Sequence, residues 1–140
     1  MTFLELTDFD AHIRSADLDK ILASDFTILD DVELFAIDRI KAEIEGRFDT
    51  TAIFAATGTS RSSLIINFTV RIVIYEIYSR INPRNIPDLV QFRYDDTLDV
   101  LKRINNEELN PSVLPILKDT EGNDKEFMVL KSRPKKAYDY

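Results

Sequence analysis

The strongest hydrophobic pattern in the chain runs from Leu64 to Ile81, where Leu64, Ile65, Ile66, Phe68, Val70, Ile72, Val73, Ile74, Ile77, Tyr78 and Ile81 place apolar side chains on nearly every face of a 3.6-residue period. The run is too long for one strand and lacks sustained alternation, so the pattern predicts a central, buried helix with Ser62 or Ser63 as its cap. A second helix is predicted from Asp30 or Asp31 to about Phe48. Phe35, Ile37, Ile40, Ile44 and Phe48 share one side of it and Lys41, Glu43 and Glu45 face away. A third follows from Pro87 to about Asn106, with Val90, Tyr94, Thr97, Leu101 and Ile104 in alternating steps of four and three, a packing seam against the central helix. Prolines punctuate this part of the chain. Pro83 ends the central helix because it offers no N–H, and Pro87 suits a first helical turn.

Shorter elements flank these three. Thr7-Asp8-Phe9-Asp10 reads as an N-cap and first helical turn, and Ser15 as the cap of a short helix through Leu22. Asp49-Thr50-Thr51 reads as a turn, Ala52-Ile53-Phe54-Ala55 as a brief apolar segment, and Thr57-Gly58-Thr59-Ser60 as a loop. Beyond Pro111 the pattern changes. Val113–Lys118 and Glu126–Lys131 flank Asp119–Asp124, which carries hairpin-turn chemistry. The expected fold is mainly α: a small helical bundle around a central apolar helix over residues 1–112, with a C-terminal extended arm or β-hairpin over 113–140.

A length of 140 residues suits one core that needs no metal or disulfide staple, and the absence of cysteine removes thiolate metal sites and cysteine nucleophiles. Asn67, Arg71, Glu76 and Arg80 interrupt the apolar run, which argues against a membrane span. The opening Met1-Thr2-Phe3 has no basic region followed by an apolar run, so no secretory signal is expected. With 25 acidic and 18 basic residues the formal charge is −7, which disfavours gripping a polyanion such as DNA. An acidic wall could still surround DNA without holding it.

Candidate chemistry is sparse. His12 is the only histidine, so a His-centred triad or multi-histidine metal site cannot form within one chain. Asp30-Asp31, Asp95-Asp96 and Glu107-Glu108 are adjacent pairs whose members diverge by about 100° on a helix. Asp95 and Asp99 are better aligned, and are expected to meet Lys102, Arg103 or a partner. Gly58-Thr59-Ser60-Arg61-Ser62-Ser63 lacks the second glycine and the lysine of a phosphate loop. Arg71 and Glu76 stand out within the apolar helix, because a buried charge is costly unless paired; a subunit boundary or a buried ion pair would resolve the cost. No catalytic residue, metal or cofactor is expected.

The central apolar helix, the Pro-bounded turn Asn82-Pro83-Arg84-Asn85-Ile86-Pro87, the run Arg93-Tyr94-Asp95-Asp96 with Leu98 and Leu101, and the exit Pro111-Ser112-Val113-Leu114-Pro115 together resemble a known family. It is that of the small head-to-tail connector (neck or head-completion) proteins of tailed bacteriophages, the Mu-like connector group. The resemblance covers roughly Phe3 to Pro115. One departure is Asn105-Asn106-Glu107-Glu108, where family members often carry a glycine. The resemblance implies a non-catalytic virion protein forming a homo-oligomeric ring, typically twelve-fold, between the portal protein and the next neck or tail protein. Genome DNA would pass through it without sequence-specific binding. It further implies a place in the virion neck, with assembly in the host cytoplasm.

On sequence grounds, the contact residues are expected in the C-terminal arm: Phe127, Val129, Leu130, Arg133, Lys135, Lys136, Tyr138 and Tyr140. Arg71, Glu76, Asp95, Asp96 and Asp99 are candidate inter-subunit or channel charges. The alternative is a non-catalytic helical adaptor or regulatory protein that binds a single cellular protein. A hydrolase or metal-dependent enzyme ranks last, since it needs a convergent polar pocket.

Overall fold

A computed structural model describes residues 1–118 and Gly122. Its described part is mainly helical, with α1 (Ser15–Leu22), α2 (Thr27–Ile44), α3 (Thr50–Ala55), α4 (Ser63–Ile81) and α5 (Asp88–Asn105), plus short 3₁₀ turns at Leu6–Phe9 and Gly58–Ser60. The expected strand Val113–Lys118 is not formed: residues 112–114 turn after Pro111, and Ile116 makes an isolated antiparallel bridge to Phe48. Its proposed hairpin partner, Glu126–Lys131, lies outside the described residues.

Helix α4 is the axis of the bundle, touching α1, α2, α5 and the first 3₁₀ turn. Its buried residues Ile65, Phe68, Val70, Ile72, Val73, Ile74 and Ile77 point in all directions, as the uniform apolar pattern requires. The Ser62 side chain accepts from the Ile65 N–H at 3.4 Å and caps it. Thr69, also buried, satisfies its hydroxyl on the Ile65 carbonyl at 2.7 Å. The last turn closes with the Asn82 N–H on the Tyr78 carbonyl, just before Pro83.

The α5 seam follows its pattern: Thr97, Leu101 and Ile104 are buried, and Val90 and Tyr94 pack half-buried on the core. Pro87 occupies the N-cap position. At the far end the left-handed residue is Glu107, at φ 64°, while Asn106 stays at φ −80°. The N–H groups of Glu108 and Leu109 close on the Arg103 carbonyl there, so the turn a glycine would ease falls on a glutamate instead.

Helix α2 departs most from expectation. It begins a turn early at Thr27, whose N–H and hydroxyl are both held by Asp25 at 3.1 and 2.5 Å. Its buried stripe is Leu29, Val32, Glu33, Ala36, Ile37, Ile40 and Ile44. Phe35 is 54% exposed and belongs to the outer side. The seam is centred on small Ala36, which lets α2 approach closely, and Phe35 lies about 100° round from it. The helix ends at Ile44, leaving Phe48 buried in the turn beyond.

Other local differences have local causes. The N-cap of the first turn is Glu5, not Thr7, since the Glu5 N–H donates to the Asp8 carboxylate at 2.7 Å. At α1 the cap position is Arg14, whose carbonyl receives the Asp17 and Leu18 N–H groups; Ser15 is already helical. Asp49 accepts from the Ala52 N–H at 3.0 Å, which turns the expected turn and apolar segment into helix α3. Among the described residues, no helix is long and apolar enough to cross a membrane.

Candidate protein-interaction surfaces

Among the described residues, the charged side chain buried in the core is Glu33. Its neighbours on the α2 stripe are apolar, and its side chain is only 2% exposed. An ionised carboxylate is an acceptor only, so such burial requires convergent donors. The N-terminal segment supplies them: the N–H groups of Thr2, Phe3 and Leu4 donate to Glu33 at 2.7, 3.0 and 2.5 Å. The Met1 amino group pairs with Asp30 one turn earlier.

Arg61 clamps the same segment from the other side. It donates to the Asp8 carboxylate at 2.6 Å and to the Phe3 carbonyl at 2.9 Å, with Glu5 at 3.3 Å. Phe3 fills the space between, edge-on to Phe54 with ring centres 5.0 Å apart. Residues 50–63, including the glycine-bearing loop, therefore serve to hold the N-terminus.

A third clamp lies at the opposite end of α2. Arg47 donates to the Ile104 carbonyl at the end of α5 and to Asn110 Oδ1, and its guanidinium lies 5.2 Å from the centre of the Phe48 ring. A cation at a helix C-terminus meets the negative end of the dipole. The flanking backbone receives the exit segment: the Asp49 N–H donates to the Pro115 carbonyl at 2.9 Å and the Leu117 N–H to the Arg47 carbonyl at 3.1 Å.

The structure places the candidate charges on α4 and α5 as follows. Arg71 reaches Asp96 across the α4–α5 seam at 3.0 Å, with both side chains part-exposed. Asp99 pairs with Arg103 one turn on, at 3.2 Å, and Asp95 accepts from Gln91 at 3.2 Å. Burial pushes the Glu76 carboxyl above its ordinary range, an effect that Arg80 and Arg39 partly oppose. Tyr75 and Tyr94 stack nearby, 3.7 Å apart and nearly parallel, and burial, with Glu76 adding to it, raises the Tyr94 phenol. A groove of about 320 Å³ between α2 and α4 brings Phe35 together with Glu76 and Arg80.

His12 is half-buried against α4 and α5, and is not simply a surface residue. Its carbonyl accepts from Arg93 at 3.3 Å, and its Nδ1 and the Arg71 Nε are buried without a hydrogen-bond partner among the described residues. Burial, then Arg93 and Arg71, lower its pKa and favour the neutral imidazole. Among the described residues, no three histidine or carboxylate side chains converge as metal ligands.

Besides Phe35 and its neighbour Leu34 on α2, Ile81 at the end of α4, and Leu109, Val113 and Ile116 in the exit segment, large apolar side chains reach solvent on α5 and near the start of α2. On α5, Leu89 and Phe92 are 57% and 67% exposed. Near the start of α2, Leu6 and Phe26 are 51% and 40% exposed and form the ridge between two grooves. The arm residues Phe127, Val129, Leu130, Arg133, Lys135, Lys136, Tyr138 and Tyr140 lie outside the described residues.

Comparison with family models, curated proteins and solved structures gives no match.

Glu33, Arg61 and Arg47 were not singled out by the sequence patterns, although one signal for Glu33 was available. Leu29, Glu33, Ala36 and Ile40 are spaced by four, three and four residues, so Glu33 sits on the apolar stripe itself. No comparable spacing marks the two arginines, whose partners, the Ile104 and Phe3 carbonyls and the Asn110 and Asp8 side chains, are brought close only by the tertiary fold.

Proposed function

We propose that this chain is a non-catalytic structural subunit of a tailed-phage neck, assembling as a ring between the portal and the next neck or tail protein. The observation that supports this reading best is the character of α5, which lies within the stretch carrying the family resemblance. Its inner side is a packing seam, and its outer side displays Leu89 and Phe92 beside Asp95, Asp96 and Asp99. Exposed apolar groups with a polar rim mark a protein-interaction site. The excess of acidic residues suits a channel wall that repels phosphates, so the genome would slide past it.

In a closed ring each copy repeats the same pair of contacts, and modest interfaces become durable together. The test is electron microscopy of lysates from the phage or prophage encoding this chain, with its gene deleted. Filled or leaking heads accompanied by free tails are expected. Normal tailed particles would refute the connector reading and leave the helical adaptor in its place.

A further inference from the structure

Two grooves meet at the ridge formed by Leu6 and Phe26. One, about 490 Å³, is bounded by Thr7, Asp10, Ser15, Ala16, Leu18 and Asp19; the other, about 330 Å³, runs past Leu29 to Asp30. Among the described residues, no lysine or arginine lines either groove. Asp30 is neutralised by the Met1 amine, but Asp10 and Asp19 form no ion pair among the described residues. The surface therefore combines a large apolar ridge with uncompensated negative charge on its flank. The carboxylates of α5 differ, since Asp96 and Asp99 are already paired within the fold.

The chain itself carries a segment of complementary chemistry. Arg133-Pro134-Lys135-Lys136-Ala137-Tyr138-Asp139-Tyr140 brings three cations, one carboxylate and two aromatic rings. The chain leaves the described bundle at Lys118, next to the bridge at the C-terminal end of α2, whereas the grooves lie at the N-terminal end of that helix. With 18 residues, α2 separates the two sites by about 27 Å. A ring needs a donor and an acceptor at different places on each subunit, and these two ends supply them.

We propose that the Leu6–Phe26 grooves receive the basic, tyrosine-bearing segment Arg133–Tyr140 of a second copy of this chain. Tyr138 and Tyr140 cover the apolar ridge, while Lys135 and Lys136 meet Asp10 and Asp19. Aromatic side chains supply most of the contact area at little cost in conformational freedom, and the charges fix the direction of the segment. This deepens the ring reading and rests on it.

The test is residue-specific crosslinking in the full-length chain, with photoreactive benzoylphenylalanine at Tyr138 and an equal mixture of isotopically light and heavy protein. Mixed-isotope adducts to the peptides containing Leu6 or Phe26 are expected. Asp10→Lys with Asp19→Lys should lower their yield about fivefold, and Lys135→Glu with Lys136→Glu on the same chain should restore it. Adducts confined to one chain, adducts to other surfaces, or none would overturn the proposal. If neck assembly remains normal in that case, the groove assignment fails while the connector reading stands.

Discussion

Replacing Glu33 tests whether the N-terminal segment is held by one buried carboxylate. Glu33→Ala leaves three backbone N–H groups without an acceptor at a position that is 2% exposed. Hydrogen bonds to a charged group contribute about 1.5–3 kcal/mol each, so their gross sum is about 5–9 kcal/mol. The realised loss has a lower ceiling, because the segment can detach and rehydrate. Detachment gives up the burial of Phe3 and Leu4, about 2–3 kcal/mol each, and regains about 1 kcal/mol of backbone entropy for each freed residue. With Thr2, Phe3 and Leu4 freed, a net destabilisation of about 1–3 kcal/mol follows, or roughly 5 °C in Tm for a chain of this size.

Glu33→Gln provides the graded control. Oε1 accepts from Phe3 and Leu4 while Oε2 accepts from Thr2, so an amide with its oxygen at the first position keeps two of the three bonds. Its cost should be about 1 kcal/mol, below that of the alanine variant. Urea unfolding gives the energies, and hydrogen exchange at Phe3 and Leu4 locates them. An alanine variant that loses less than about 1 kcal/mol, with protection at those amides unchanged, would refute the account.

Two further perturbations probe the other ends of the bundle. Arg47→Met keeps the aliphatic stem but removes the donors to Ile104 and Asn110, so it should cost about 1–2 kcal/mol; faster exchange at the Leu117 amide, which bonds to the Arg47 carbonyl, would accompany it. The folded-state pKa of His12 is lowered from 6.5, so the unfolded chain binds that proton more readily and stability falls as pH drops from 6.5 toward the lowered value. His12→Gln removes this component, and the difference between wild-type and variant urea midpoints should change across that window and be flat above it; a constant difference would refute the assignment.

What the sequence discloses about this fold depends on how local the cause is. The all-round apolar run of α4 and the four-and-three spacing of α5 record burial directly, and both helices form where that pattern puts them. The α2 pattern misleads because an aromatic residue outweighs an alanine on any hydrophobicity scale, yet close helix approach favours Ala36 over Phe35. Helix α3 is hidden because its decisive feature is one side-chain cap, Asp49, in a stretch of turn-forming residues. The clamps of Arg47 and Arg61 are less legible still. Their acceptors, the Ile104 and Phe3 carbonyls and the Asn110 and Asp8 side chains, lie in segments far away in sequence, and a main-chain carbonyl has no residue type to read. The charges on α4 and α5 were visible as residues, but their pairing was not, because Arg71 could reach Asp96 only after the two helices had packed.

The bridge between Ile116 and Phe48 also bears on how the subunit would carry mechanical tension. A pull on the chain beyond Lys118 enters residues 47–49 through two main-chain hydrogen bonds, runs along α2, and leaves through the Glu33 carboxylate into the N-terminal segment. The end of α5 shares that load, through the Arg47 guanidinium on the Ile104 carbonyl and through the chain that joins it to Pro115. Helix α2 would act as a tie rod, and the weakest link under load would be the two-bond bridge, which can open without disturbing the core.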